Sequence, residues 1–278
     1  MMDWLLTPLN YEFMRQALWA SLLVGILCPV VGTYLIVQRM AMLGDVVAHG
    51  VLPGLAIASF ANLPILAGAF VMGLFSTFVI AWIRTQSRIK VDTAMAITFS
   101  TFFSLGITLL TVFRSRVPLE QLLFGDILSI RATDVQQIAV ITALVLVGVA
   151  LFYKELLFFT FDPLGAEALG LPITRINFGL MAAITLAIIA GMKTVGVILV
   201  VALMVGPAAT AYLLVKELHW MMILGAILGV LFGMVGMYSS YYLDIPSGPA
   251  IGLTVFGGFL LALLFSPRQG ILIRYWQA

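Results

Sequence analysis

Long apolar stretches alternate with short clusters of charge along the whole chain. A helix needs about 20 apolar residues to cross the hydrocarbon core of a membrane. Residues 16–38 carry no charge and predict the first such span. Residues 46–83 are too long for one crossing, and Ala61-Asn62-Leu63-Pro64 is the natural break. Proline starts a helix well and disfavours helix in the residue before it. That gives spans two and three. Residues 93–113 predict the fourth and 135–153 the fifth. Residues 176–215 would make one helix of roughly 60 Å, twice the core. A tight turn near Gly191 to Gly196 is therefore expected, making spans six and seven. Residues 220–241 and 250–267 complete a count of nine, or eight if one segment is re-entrant.

Basic residues orient such a bundle, because cytoplasmic loops carry the excess of lysine and arginine. With the N-terminus outside, the inner side receives Arg39, Arg84, Arg88, Lys90, Lys154, Arg175, Lys216, Arg268 and Arg274. The outer side receives Arg15, Arg114, Arg116, Arg131 and Lys193. The expected orientation is N-outside, C-inside. Residues 1–10 lack the positive region and short apolar run of a cleavable signal, so the first span is expected to direct insertion.

Composition agrees with this pattern. Of the 278 residues, 63% are hydrophobic and 9% are charged, against about a quarter charged in a soluble domain. A net charge of +2 is too balanced for a nucleic-acid partner. The one cysteine, Cys28, lies in an apolar run and reads as a small buried residue. The whole chain, 1–278, reads as one transmembrane domain with no soluble module. It has no phosphate-binding glycine-lysine loop, so any ATP hydrolysis belongs to another chain, and this one is not expected to be an enzyme.

The most informative segment is Gly44-Asp45-Val46-Val47-Ala48-His49-Gly50-Val51-Leu52-Pro53-Gly54. Asp45 and His49 are four apart, one turn along the same helix face. A carboxylate and an imidazole so placed can both ligate a divalent cation. Ionisable groups in a membrane span are expensive and usually face a pathway or a partner. The bland alternative is that they bond to each other, or that Asp45 caps the helix and holds Arg39. The residues alone leave both readings open.

The stretch from Arg39 to Gly54 resembles the signature of the permease subunits of bacterial ABC importers for manganese, zinc and iron. So do the run Val200-Val201-Ala202-Leu203-Met204-Val205-Gly206-Pro207-Ala208-Ala209-Thr210-Ala211 and the turn Asp244-Ile245-Pro246-Ser247-Gly248-Pro249. Within that family the chain is most similar to cyanobacterial manganese permeases. It departs at Ala48, where many members carry serine. The resemblance implies an all-α polytopic fold of eight or nine transmembrane helices, with the BtuC-like (type II) importer permease architecture. It implies a multi-pass protein of the bacterial plasma membrane, surrounded by lipid. The implied partners are a second copy of the chain, two ATPase subunits and an extracytoplasmic metal-binding protein. It implies that Asp45 and His49 lie along the path of the ion, with divalent metal as cargo and no resident cofactor.

Segment 161–172 is the second region of interest. Asp162 can cap a short helix that begins at Pro163 and stops at Gly170. The resemblance makes this the coupling helix that docks into the ATPase, with Glu167 facing the partner and Leu164, Ala168 and Leu169 filling its groove. Without it, the segment is an ordinary interfacial helix. Three more polar residues fall at the outer side. Asp126 either meets the cation or delivery protein or is a solvated or capping aspartate. Asp244 and Ser247 either line the outer mouth or belong to a turn. His219, next to Trp220, reads as an interfacial anchor.

Two functions fit these residues. The first is the permease of an ATP-driven importer of divalent metal, manganese before zinc or iron. The second is a secondary metal transporter driven by an ion gradient, with Asp45 and His49 as a proton relay.

Overall fold

The structure, a computed structural model, describes residues 7–114, 125 and 130–266. Among these residues it is helical throughout, and nine of its helical stretches are long and apolar enough to span a membrane. After a single 3-10 turn, α1 runs over Glu12–Val37. The second span is two short helices, α2 (Leu43–Gly50) and α3 (Leu52–Phe60). Then come α4 (Ile65–Gln86), α5 (Val91–Val112) and α6 (Ala132–Leu151). Two short helices follow, α7 (Tyr153–Phe161) and α8 (Pro163–Ala168). The bundle closes with α9 (Ile173–Val195), α10 (Val197–Leu214), α11 (Leu218–Leu243) and α12 (Ser247–Phe265).

The turns fall where the chain's chemistry allows them. Asn62, at φ 55°, takes the left-handed turn before Pro64, as the sequence implied. The break in 176–215 is tighter than expected. It occupies Gly196 alone, at φ 84° and ψ 156°, a conformation that costs glycine little because it lacks a Cβ. Gly191 stays inside α9, packed against Val200. The second span also differs from expectation, starting at Leu43 and breaking at Val51. Pro53 has no N–H to give the carbonyl of His49, four residues back, so the helical ladder is interrupted there.

Two elements form the interior. In α1 and in the α2–α3 rod, 72% of the membrane-spanning window is buried, against 22% in α12. Apolar surface drives little association in lipid, so close backbone packing through small residues matters more. Gly25 of α1 lies against the backbone of Gly229 in α11, and Gly32 lies against the carbonyl of Met204 in α10. Gly54 of α3 and Gly68 of α4 meet backbone to backbone, and a Cβ on either would strike the other's carbonyl. Gly106 of α5 admits Leu52 and Pro53. The broken second span is thus held on two sides by faces cut back to glycine.

Candidate functional site

The turn from α1 into α2 begins at Arg39, which adopts φ 57°. The N–H of Met40 donates to the carbonyl of Leu35 at 2.8 Å and closes α1. The next helix then starts inside the bundle. Leu43, Gly44, Val46, Val47, Ala48 and Gly50 of α2 are buried. Asp45 and His49 are the polar exceptions, with side chains 40% and 14% exposed.

Nδ1 of His49 lies 3.0 Å from the backbone carbonyl of Asp45 and 3.4 Å from its Oδ1. A carbonyl oxygen only accepts, so Nδ1 carries the hydrogen and donates it. Nε2 is then the ring nitrogen with a free lone pair, the form in which imidazole binds a metal. Phe99 and Phe103 of α5 wall the ring in. Their centroids lie 4.9 Å and 5.4 Å from the imidazole, both edge-on. They are parallel to each other, at 3°. The pair therefore sits with one apolar side and one open side.

One part of the bland alternative is realised and one is not. Asp45 and His49 do bond to each other. Asp45, however, makes no side-chain cap bond to α2, and no ion pair with Arg39 forms among the described residues. Its carboxylate keeps coordination capacity to spare. Two ligands are too few to hold an ion, and no group of three or more His, Cys, Asp or Glu occurs among the described residues. Ala48 is fully buried, so a serine hydroxyl there would need a partner of its own.

Segment 161–172 folds as its residues imply. Asp162 Oδ1 accepts from the N–H of Gly165 at 2.9 Å, capping α8 at the turn where Pro163 enters. Gly170, at φ 79°, ends it. The N–H of Leu171 returns to the carbonyl of Ala166 at 3.1 Å. Ala166 is buried, while Leu164 and Leu169 are 78% and 75% exposed. Glu167, Ala168 and Gly170 are exposed beside them.

Other candidates stay apart from the pair. Asp244 is the left-handed C-cap of α11, at φ 52° and ψ 44°. It is exposed, and half-buried Ser247 opens α12. Both belong to a turn in which Ser240 Oγ donates to the carbonyl of Ile245 at 2.6 Å. Asp126 lies outside the described residues. His219 pairs with Glu217 at 3.2 Å and packs by Trp220. Phe99 and Phe103 escaped the sequence reading, although their spacing of four matches that of Asp45 and His49.

The comparisons with known proteins bear on the whole chain. The manganese transport system membrane protein MntC of Halalkalibacterium halodurans is 42% identical over 270 residues, covering 97% of this chain and 92% of that one. The manganese transport system membrane protein MntB of Synechocystis is 35% identical, over 99% and 90%. The solved structure of PsaBC from Streptococcus pneumoniae in complex with Fab superposes with a TM-score of 0.89 at 35% identity, covering 98% of this chain and 99% of that one. The model of the ABC 3 transport family matches residues 10–266. With that match over nearly the full length, and with nine helical stretches among the described residues long and apolar enough to span a membrane, this chain is a multi-pass permease that belongs to the ABC 3 transport family.

Proposed function

We propose that this chain forms the pore of an ATP-driven importer of manganese, and that Asp45 and His49 are ligands along the ion's path. The observation that carries the reading is a carboxylate 40% exposed in the first turn of a membrane span, on a helix whose other residues are largely buried. Such a group is not left facing lipid, because a charge in hydrocarbon costs several kcal/mol. A second copy of the chain covers it. Two copies meeting across a twofold axis bring two carboxylates and two imidazoles to one ion, completing a donor set that one chain leaves short.

Oxygen and nitrogen donors suit manganese, and ferrous iron and zinc as well. Manganese binds weakest in the intrinsic order, so selectivity comes from geometry and from an extracytoplasmic protein that delivers the ion. The relatives named for manganese transport make it the metal of choice. On the inner side, α8 docks into a groove of the ATPase through Leu164, Ala168 and Leu169. Glu167 faces a polar partner, and Asp162 and Gly170 fix the two ends of the helix. Nucleotide-driven movement of two ATPase subunits then rocks the bundle between outward and inward access. Asp244 and Ser247, in the turn between α11 and α12, would meet the ion at the outer mouth.

Cellular metal content tests this. Cells making the chain with its ATPase and binding protein would be offered manganese and zinc together. Manganese should rise, and should not rise when the ATPase cannot hydrolyse ATP. Accumulation that ignores ATP hydrolysis would replace the importer with a gradient-driven transporter. A rise in zinc alone would keep the mechanism and change the metal.

A further inference from the structure

A cavity of about 490 Å³, polar on one side and apolar on the other, opens at the end of the bundle where α1 hands over to α2. Its walls come from four separate places: the Gln38–Arg39 turn, the last turns of α4 with Arg84, the end of α7 with Thr160, and α9 with Asn177. No carboxylate among the described residues lines it. Neither arginine makes an ion pair among the described residues. Two exposed guanidiniums from different elements thus face one space with no counter-charge.

The rest of the lining sharpens the chemistry. Gln38 Nε2 donates to Thr160 Oγ1 at 3.3 Å, which ties the two walls and leaves the threonine hydroxyl free to donate elsewhere. With the Asn177 amide and the arginine forks, the polar side offers mostly donors. The other side is apolar, with Val37, Met40, Leu43, Ile80 and Met181. An anion with an apolar body fits both sides, and a bare phosphate would leave half the cavity unsatisfied. The positive-inside orientation puts this end at the cytoplasmic boundary, where acidic lipid headgroups lie.

We propose that the cavity between Arg39, Arg84, Thr160 and Asn177 binds the headgroup of an acidic phospholipid. The phosphate accepts from the two guanidiniums, a charge-assisted and often bidentate contact. The glycerol and upper acyl chain lie on the apolar wall. Leu43 opens the helix that carries Asp45, and Pro163 opens α8, and both line this cavity. A bound lipid therefore touches the ion-pathway helix and the exposed inner helix at once.

Native mass spectrometry of the purified permease with its ATPase tests the site. The complex would be exchanged into equal amounts of phosphatidylglycerol and phosphatidylcholine. The wild type should retain phosphatidylglycerol about tenfold over phosphatidylcholine. R39Q and R84Q should each cut that retention by about tenfold, the scale of one lost charge-assisted hydrogen bond. R39K and R84K should keep part of it. Equal retention of both lipids by the wild type would overturn the proposal, and that arm needs no variant. Displacement of the lipid by inorganic phosphate would make it a free-anion site instead. Loss of the ATPase from R39Q and R84Q with lipid retention unchanged would assign the arginines to an acidic partner surface, which also overturns it.

Discussion

Helices α2 and α8 are both short, and each places side chains against the rule of its surroundings. In α2, the carboxylate of Asp45 is 40% exposed within a membrane span. In α8 and at its C-terminal cap, Leu164 and Leu169 are 78% and 75% exposed beyond the ends of the spans. Exposed leucines on α12 say nothing, because lipid is their solvent. On α8, beyond the spans, the same exposure faces water, and on α2 a charge opens a helix whose neighbours are buried. Exposure becomes a signal of function only against the local solvent. Under the proposed function, each helix would meet a different partner: an ion shared with a second copy for α2, and an apolar groove for α8.

Four substitutions break or sharpen this contrast. The largest effect is expected from Asp45→Ala. Metal uptake should fall by about a hundredfold, while the melting temperature of the purified protein changes little, since the carboxylate makes only the 3.4 Å contact to His49. Uptake at the wild-type rate would remove α2 from the pathway. Next is Gly54→Val, which attacks the seat of the second span. The added side chain strikes the backbone of Gly68, and overpacking of this kind costs about 1–3 kcal/mol or more. Thermal unfolding should report it as lower stability and poorer yield, the opposite signature to Asp45→Ala.

Leu164→Asp should leave the isolated permease as stable as the wild type. Burying a leucine contributes about 2 kcal/mol, so the affinity for the ATPase should fall about thirtyfold in a pull-down titration. Unchanged affinity would make α8 an ordinary surface helix. The smallest effect is expected from Asp162→Ala. Loss of a cap costs about 1 kcal/mol, so ATP-driven uptake should drop only a few-fold, and Asp162→Asn should restore it because asparagine caps equally well.

Much of this was legible in the chain. Hydrophobic runs marked out nine spans, matched among the described residues, because a helix that crosses lipid needs about 20 apolar residues, and the turns fell at Asn62 and Gly196 because few residues take positive φ. The cap at Asp162 and the stop at Gly170 followed from local rules that need no tertiary partner. The break at Val51 was missed, although Pro53 announced it, since a span-length count treats 46–60 as one helix. The Phe99–Phe103 wall and the cavity joining Arg39 to Arg84 were not legible. Both bring together residues from helices whose relative rotation the pattern of a single sequence does not encode. The choice of ring nitrogen at His49 likewise needed the 3.0 Å contact to the carbonyl of Asp45.

The central claim is that His49 and Asp45 hold the ion, and manganese reports its own ligands. Electron–nuclear double resonance on the manganese-loaded complex should show nitrogen-14 coupling from imidazole in the wild type. His49→Gln should abolish that coupling, and Asp45→Ala should weaken manganese binding. Nitrogen coupling that persists unchanged in His49→Gln would place the ion elsewhere and contradict the account.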